Sequence, residues 1–85
     1  MRVRDLDPKK FEEFLKANRK TVFGILEKSC PLARWLNEEV TIEDLDSFPP
    51  WANRFHGAWE DRYQWADVPP GIGRDALKIL RRSLV

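Results

Sequence analysis

The chain has one cysteine and one histidine. A lone thiol closes no intramolecular disulfide, and one Cys with one His falls short of the ligands of a structural zinc site. No metal and no cofactor is therefore expected, and the core must hold by packing alone. Long apolar runs are lacking too. Nothing approaches the ~18 consecutive apolar residues of a membrane span, and the charged start Met1-Arg2-Val3-Arg4-Asp5 has no apolar stretch of the signal-peptide kind. The expectation is a soluble, cytoplasmic protein with no membrane partner. Glycine is scarce, at four residues, and nowhere forms a nucleotide-cradling loop. Ser29, Ser47 and Ser83 lack the flanking glycines of a hydrolase elbow. An excess of one charge is missing as well: the net charge of +1 is far from the strongly basic balance of a typical nucleic-acid-binding domain.

What remains is a chain of 85 residues with ten aromatic side chains, four of them Trp. That length allows one core, so residues 1–85 are read as a single domain. The aromatic content places the chain among globular rather than disordered sequences. Its charges are segregated along the chain. Residues 1–34 carry nine Lys/Arg against five Asp/Glu, residues 35–67 two against eight, and residues 68–85 four against one. Such blocks pair internally in a folded chain, or they leave an acidic or basic face that steers a charged partner.

Four helices are predicted, with a mainly α bundle as the fold class. Asp7-Pro8 is a helix start, because Asp accepts from the first free N–H groups and Pro at the first position sacrifices no bond. Phe11, Phe14 and Leu15 then share a face, and the helix ends near Ala17, before Asn18 and the β-branched, aromatic and glycine run Thr21-Val22-Phe23-Gly24. Ser29-Cys30-Pro31 repeats the start signal for a short helix carrying Leu32, Trp35 and Leu36 and ending near Asn37. Val40-Thr41-Ile42 alternates over too few residues to separate a short strand from one helical turn, and Thr41 with Asp44 equally forms a capping box. An α+β fold is the fallback. After Pro49-Pro50, a third helix from Trp51 to about Trp65 places Trp51, Ala52, Phe55, Ala58, Trp59, Tyr63 and Trp65 in one arc, with Arg62 the single intruder. Gly57 weakens this helix by ~1 kcal/mol relative to Ala. A fourth, from Arg74 to Leu84, lines up Ala76, Leu77, Leu80 and Leu84 and ends on Lys78, Arg81 and Arg82, which suit the negative end of the helix dipole. Trp51, Phe55 and Trp59 are expected to pack on Phe11, Phe14, Trp35, Leu36 and Leu77.

Candidate chemistry is thin. Cys30 at a helix start is the one side chain suited to nucleophilic attack, since N-terminal N–H groups stabilise a thiolate, and His56 is the only imidazole available as its base. A small buried cysteine is the plainer account. The acidic stretch Glu38, Glu39, Glu43, Asp44 and Asp46 lacks the ligand alternation, central Gly and closing Glu of a calcium loop, so it reads as a solvated turn offering a docking surface for a basic partner. The aromatic stripe suits a core better than a base-stacking platform, because Glu60 and Asp61 beside it repel a phosphate backbone. A chain this small nevertheless cannot bury ten aromatics completely, and Trp and Tyr are favoured at protein interfaces.

Pro70-Gly71-Ile72-Gly73 with the basic helix after it resembles the hairpin of helix-hairpin-helix DNA-binding motifs. The resemblance spans about a dozen residues. It departs from the pattern at Pro69, where the motif prefers Leu, and at Leu77, where it prefers Ala. It implies a phosphate contact through the N–H groups of Gly71 and Gly73 with Arg74, Lys78, Arg81 and Arg82. From the residues as a whole the expected function is a non-enzymatic protein-binding or regulatory module, its partner an unidentified protein met through Glu38, Glu39, Glu43, Asp44 and Asp46. Nucleic-acid binding through the hairpin is the alternative, and thiol chemistry at Cys30 comes third.

Overall fold

The computed structural model describes residues 6–26, 28–38, 40–41, 46–65 and 67–84. Four helices account for most of them: α1 (Pro8–Ala17), α2 (Pro31–Leu36), α3 (Pro50–Tyr63) and α4 (Gly73–Ser83). The chain is mainly helical, as the periodicity predicts.

Each boundary has a local cause. The Asp7 carboxylate accepts from the Lys9 N–H at 2.9 Å to cap α1, with Pro8 at its first position. At the other end Asn18 Nδ2 donates to the Phe14 carbonyl at 2.8 Å, occupying an acceptor that the helix leaves unpaired. Cys30 caps α2, its Sγ accepting from the Ala33 N–H at 3.4 Å, and the helix stops where Asn37 turns left-handed at φ 56°, a conformation that Asn tolerates better than most residues. Pro49 and Pro50 start α3. The Asp75 carboxylate holds the Ile72 N–H at 3.3 Å to start α4.

The interior is aromatic. Phe11 sits at its centre, with ring centroids 5.0 Å from Phe55 edge-on, 4.9 Å from Trp35, 5.8 Å from Trp51 and 6.4 Å from Phe14. Phe55 passes the cluster on to Trp59 at 6.2 Å, and Trp59 to Tyr63 at 4.4 Å. Offset and edge-on arrangements of this kind are the favoured ones for rings. Trp51, Phe55 and Trp59 are buried in one cluster with Phe11, Leu36 and Leu77, as expected, and Phe14 and Trp35 pack half-buried against it. Helix α4 lies against both α1 and α3, and Arg54 Nε on α3 reaches the Ser83 carbonyl at the end of α4 at 2.9 Å.

The segment after α1 is pinned just as firmly, although it forms no helix. Val22 and Ile72 make an antiparallel bridge. The Phe23 N–H donates to the Gly71 carbonyl at 2.9 Å, the Gly73 N–H to Thr21 at 3.0 Å and the Arg74 N–H to Arg19 at 3.0 Å. Phe23 is thereby sealed against Trp59, 6.3 Å away and edge-on, while Trp59 Nε1 donates to the Gly24 carbonyl at 2.9 Å. A buried indole N–H needs such a partner.

Three details depart from the sequence expectations, and a fourth bears on an alternative left open. Helix α3 ends at Tyr63, so Trp65 leaves the apolar arc and stands 60% exposed. Ala58, placed in the same arc, is exposed. On α4 the buried position falls to Ile79 rather than Leu84, which lies beyond the last helical residue and is 44% exposed. Val40 and Thr41 form no strand, with Val40 buried in the core beside α2, and Ile42 lies outside the described residues.

Candidate functional site

An open groove of about 470 Å³ runs between the C-terminal halves of α3 and α4. Its α3 side is made by Ala58, Asp61 and Arg62, and Trp65 continues the same row past the helix end. These positions are three, four and seven residues from Ala58, one stripe of a helix surface. Val68 closes the end, and α4 contributes Ile79 and Arg82. Its lining thus combines small and branched apolar side chains, one indole, guanidinium groups from two helices and one carboxylate. A second hollow of about 250 Å³ shares Arg62, Ile79 and Arg82 with the groove and adds Tyr63, Asp75 and Lys78.

Charge at this site is uncommitted. Arg81, the neighbour of Arg82, pairs with Glu12 on α1 at 3.7 Å. Among the described residues Arg62, Lys78 and Arg82 have no carboxylate partner. Arg62 instead lies over the Tyr63 ring, 5.9 Å from its centroid. Nine of the ten aromatic side chains are buried or half-buried; Trp65 in this groove is the exposed one.

The other candidates are distributed differently. Cys30 is 1% exposed. Burial raises its thiol above the ordinary value of 9.0, and the N–H groups at the start of α2, Ala33 foremost, only partly offset this. A thiol held neutral is a weak nucleophile. His56 Nε2 lies 3.4 Å from Glu60 on its own helix. Glu38 is exposed and borders a hollow of about 330 Å³ together with Lys28, Ala33, Arg34 and Asn37, so two cations share its surroundings. Asp46 is exposed, whereas Glu39, Glu43 and Asp44 lie outside the described residues. No group of three or more His, Cys, Asp or Glu that could hold a metal forms among the described residues, nor is any described helix long and apolar enough to cross a membrane.

At the hairpin-like turn, the glycines meet protein. A Cβ on Gly71 would lie 2.5 Å from the Trp59 ring, and one on Gly73 would overlap the Asn18 carbonyl oxygen. The N–H groups of Ile72, Gly73 and Arg74 donate to Asp75, Thr21 and Arg19. Arg74, Lys78, Arg81 and Arg82 are all exposed: Arg82 lines both the groove and the second hollow, Lys78 the second hollow alone, and Arg81 reaches α1. The structure therefore joins part of the predicted basic set with Arg62 and Trp65, which the helical periodicity assigns to the core stripe. A signal for them exists: Arg62 is the charged residue that breaks the apolar arc, and it marks where that arc leaves the interior.

No protein-family model, curated protein or solved structure matches this chain.

Proposed function

We propose that this chain is a protein-binding module without catalytic machinery of its own, and that the groove between α3 and α4 is its docking face. One observation carries the reading: nine of ten aromatic side chains lie in the core or half-buried against it, and Trp65 is left at 60% exposure beside an open groove whose two guanidinium groups have no carboxylate partner among the described residues. Exposing an indole forgoes burial worth a few kcal/mol in a domain with little stability to spare. Trp and Arg are also the residue types that most often anchor protein interfaces. The acidic residues Glu38, Glu39, Glu43, Asp44 and Asp46 remain the second proposed surface, suited to steering a basic partner during encounter.

The nucleic-acid alternative has less support. A phosphate at the Gly71–Gly73 turn would have to displace the Thr21 carbonyl from the Gly73 N–H, and no positive-φ glycine opens that turn outward.

Affinity capture from host lysate, with and without nuclease, tests the proposal when run in parallel on the native chain and Trp65→Ala. That substitution removes an exposed ring and should leave the circular dichroism unchanged. A protein species retained by the native chain despite nuclease, and lost with Trp65→Ala, is the expected result. Retention that disappears with nuclease, or that ignores the substitution, contradicts it.

A further inference from the structure

Resting on that reading, we infer that the groove takes an acidic peptide segment of its partner: one large apolar side chain seated against Trp65, flanked by carboxylates that engage Arg62, Lys78 and Arg82. The apolar lining and the cations specify different parts of such a ligand. Ala58, Val68 and Ile79 supply apolar lining, and a volume of about 470 Å³ gives room for one large side chain. Trp65 offers a rigid flat surface for an aliphatic or aromatic anchor. Arg62 on α3 and Arg82 on α4 line both this groove and the hollow beside it, where Lys78 joins them, so a chain lying along the groove meets cations from two helices.

The charge pattern discriminates between classes of ligand. Three cations without a carboxylate partner among the described residues attract anions, and a guanidinium fork matches a carboxylate with two parallel hydrogen bonds. Asp61 and Asp75 are interspersed among them. A nucleic-acid backbone repeats its negative charge at every nucleotide and would meet both carboxylates. A peptide places its charges where the side chains put them, so it can set carboxylates at the cations and neutral or basic groups at Asp61 and Asp75. Lys78 and Arg82 lie four residues apart on one face of α4, a spacing that two carboxylates on one turn of a partner helix, or two residues apart on an extended strand, can reach together.

Selection from a displayed library of random dodecapeptides supplies the probe while the partner is unidentified. The native chain is the bait, and a single-stranded dT oligonucleotide is titrated in parallel. Enriched peptides should carry an aromatic or Leu anchor flanked by two or more Asp/Glu. A synthetic copy should bind in a salt-dependent way, and Arg62→Glu/Arg82→Glu should weaken it at least about tenfold, since charged hydrogen bonds are replaced by repulsion. Both substituted side chains are exposed, and circular dichroism checks that the fold is kept. Neutral or basic consensus peptides that still require Trp65 would overturn the acidic-segment inference while leaving the protein-binding reading standing. Acidic peptides indifferent to the charge reversal would remove the site. Oligonucleotide binding tighter than any selected peptide, or no enrichment at all, would overturn the inference and the protein-binding reading together. Sedimentation equilibrium showing self-association that Trp65→Ala abolishes would overturn the acidic-segment inference alone, because the occupant would then be a second copy of the chain.

Discussion

Cys30 has its polar capacity spent on structure. Its Sγ caps α2 through the Ala33 N–H, it is 1% exposed, and burial holds its thiol pKa above 9.0. The consequence for stability has a definite sign. The folded chain retains the thiol proton at a pH where the unfolded chain has released it, so between the two pKa values the unfolded state binds fewer protons and stability falls as pH rises. The contribution is complete below pH 9 and is lost above it. Denaturant midpoints measured from pH 8 to 11 should therefore fall more steeply for the native chain than for Cys30→Ser, which keeps a capping side chain and cannot titrate in that range. Parallel slopes for the two would show that the thiol is not held neutral. The residue is readable as a cap from Ser29-Cys30-Pro31, but its burial is not, since that depends on what closes over α2.

At the scale of elements, helices are legible because their ends are local. Asp7-Pro8, Cys30-Pro31 and Pro49-Pro50 state their starts in two or three residues, and all three starts occur within a residue of expectation. Phe23 is not legible. It belongs to no helix or strand and is 1% exposed because Gly71 and Trp59, dozens of residues away, receive it. The same pairing explains why two glycines of this chain should respond oppositely to alanine. Gly57 sits exposed on α3 with open space where a Cβ would be, so Gly57→Ala should stabilise by about 0.5–1 kcal/mol through helix propensity. At Gly73 the Asn18 carbonyl occupies the Cβ position, so Gly73→Ala should push α4 from the segment after α1 and cost about 1–3 kcal/mol. Thermal melts of the two variants check this. Equal and small shifts would mean that the contact between Asn18 and α4 yields freely, and the pinned segment would lose its structural role.

For the molecule as a whole, the balance of burial decides where function is sought. Helix α4 is the shared element: one face is enclosed by α1 and α3, its start is locked by the Thr21 and Arg19 carbonyls, and its remaining face offers Lys78 and Arg82 to solvent. The basic C-terminal block is visible in the sequence, but its partition is not. Arg81 goes to Glu12 on α1, while Lys78 and Arg82 join Arg62 from another helix, and that division arises only where α4 packs against both α1 and α3. Trp65 illustrates the same limit, since the apolar arc runs through it in sequence and the helix ends two residues before it. Backbone and indole amide spectra of the ¹⁵N-labelled chain, titrated with the nuclease-resistant captured partner, test the docking face directly. The account predicts shifts concentrated on the Trp65 indole N–H and on the amides around Arg62 and Lys78 to Arg82, with the Trp59 indole N–H, bonded to Gly24, unmoved. Shifts centred on Gly71 to Gly73 or around Glu38 and Asp46, with Trp65 silent, would contradict it.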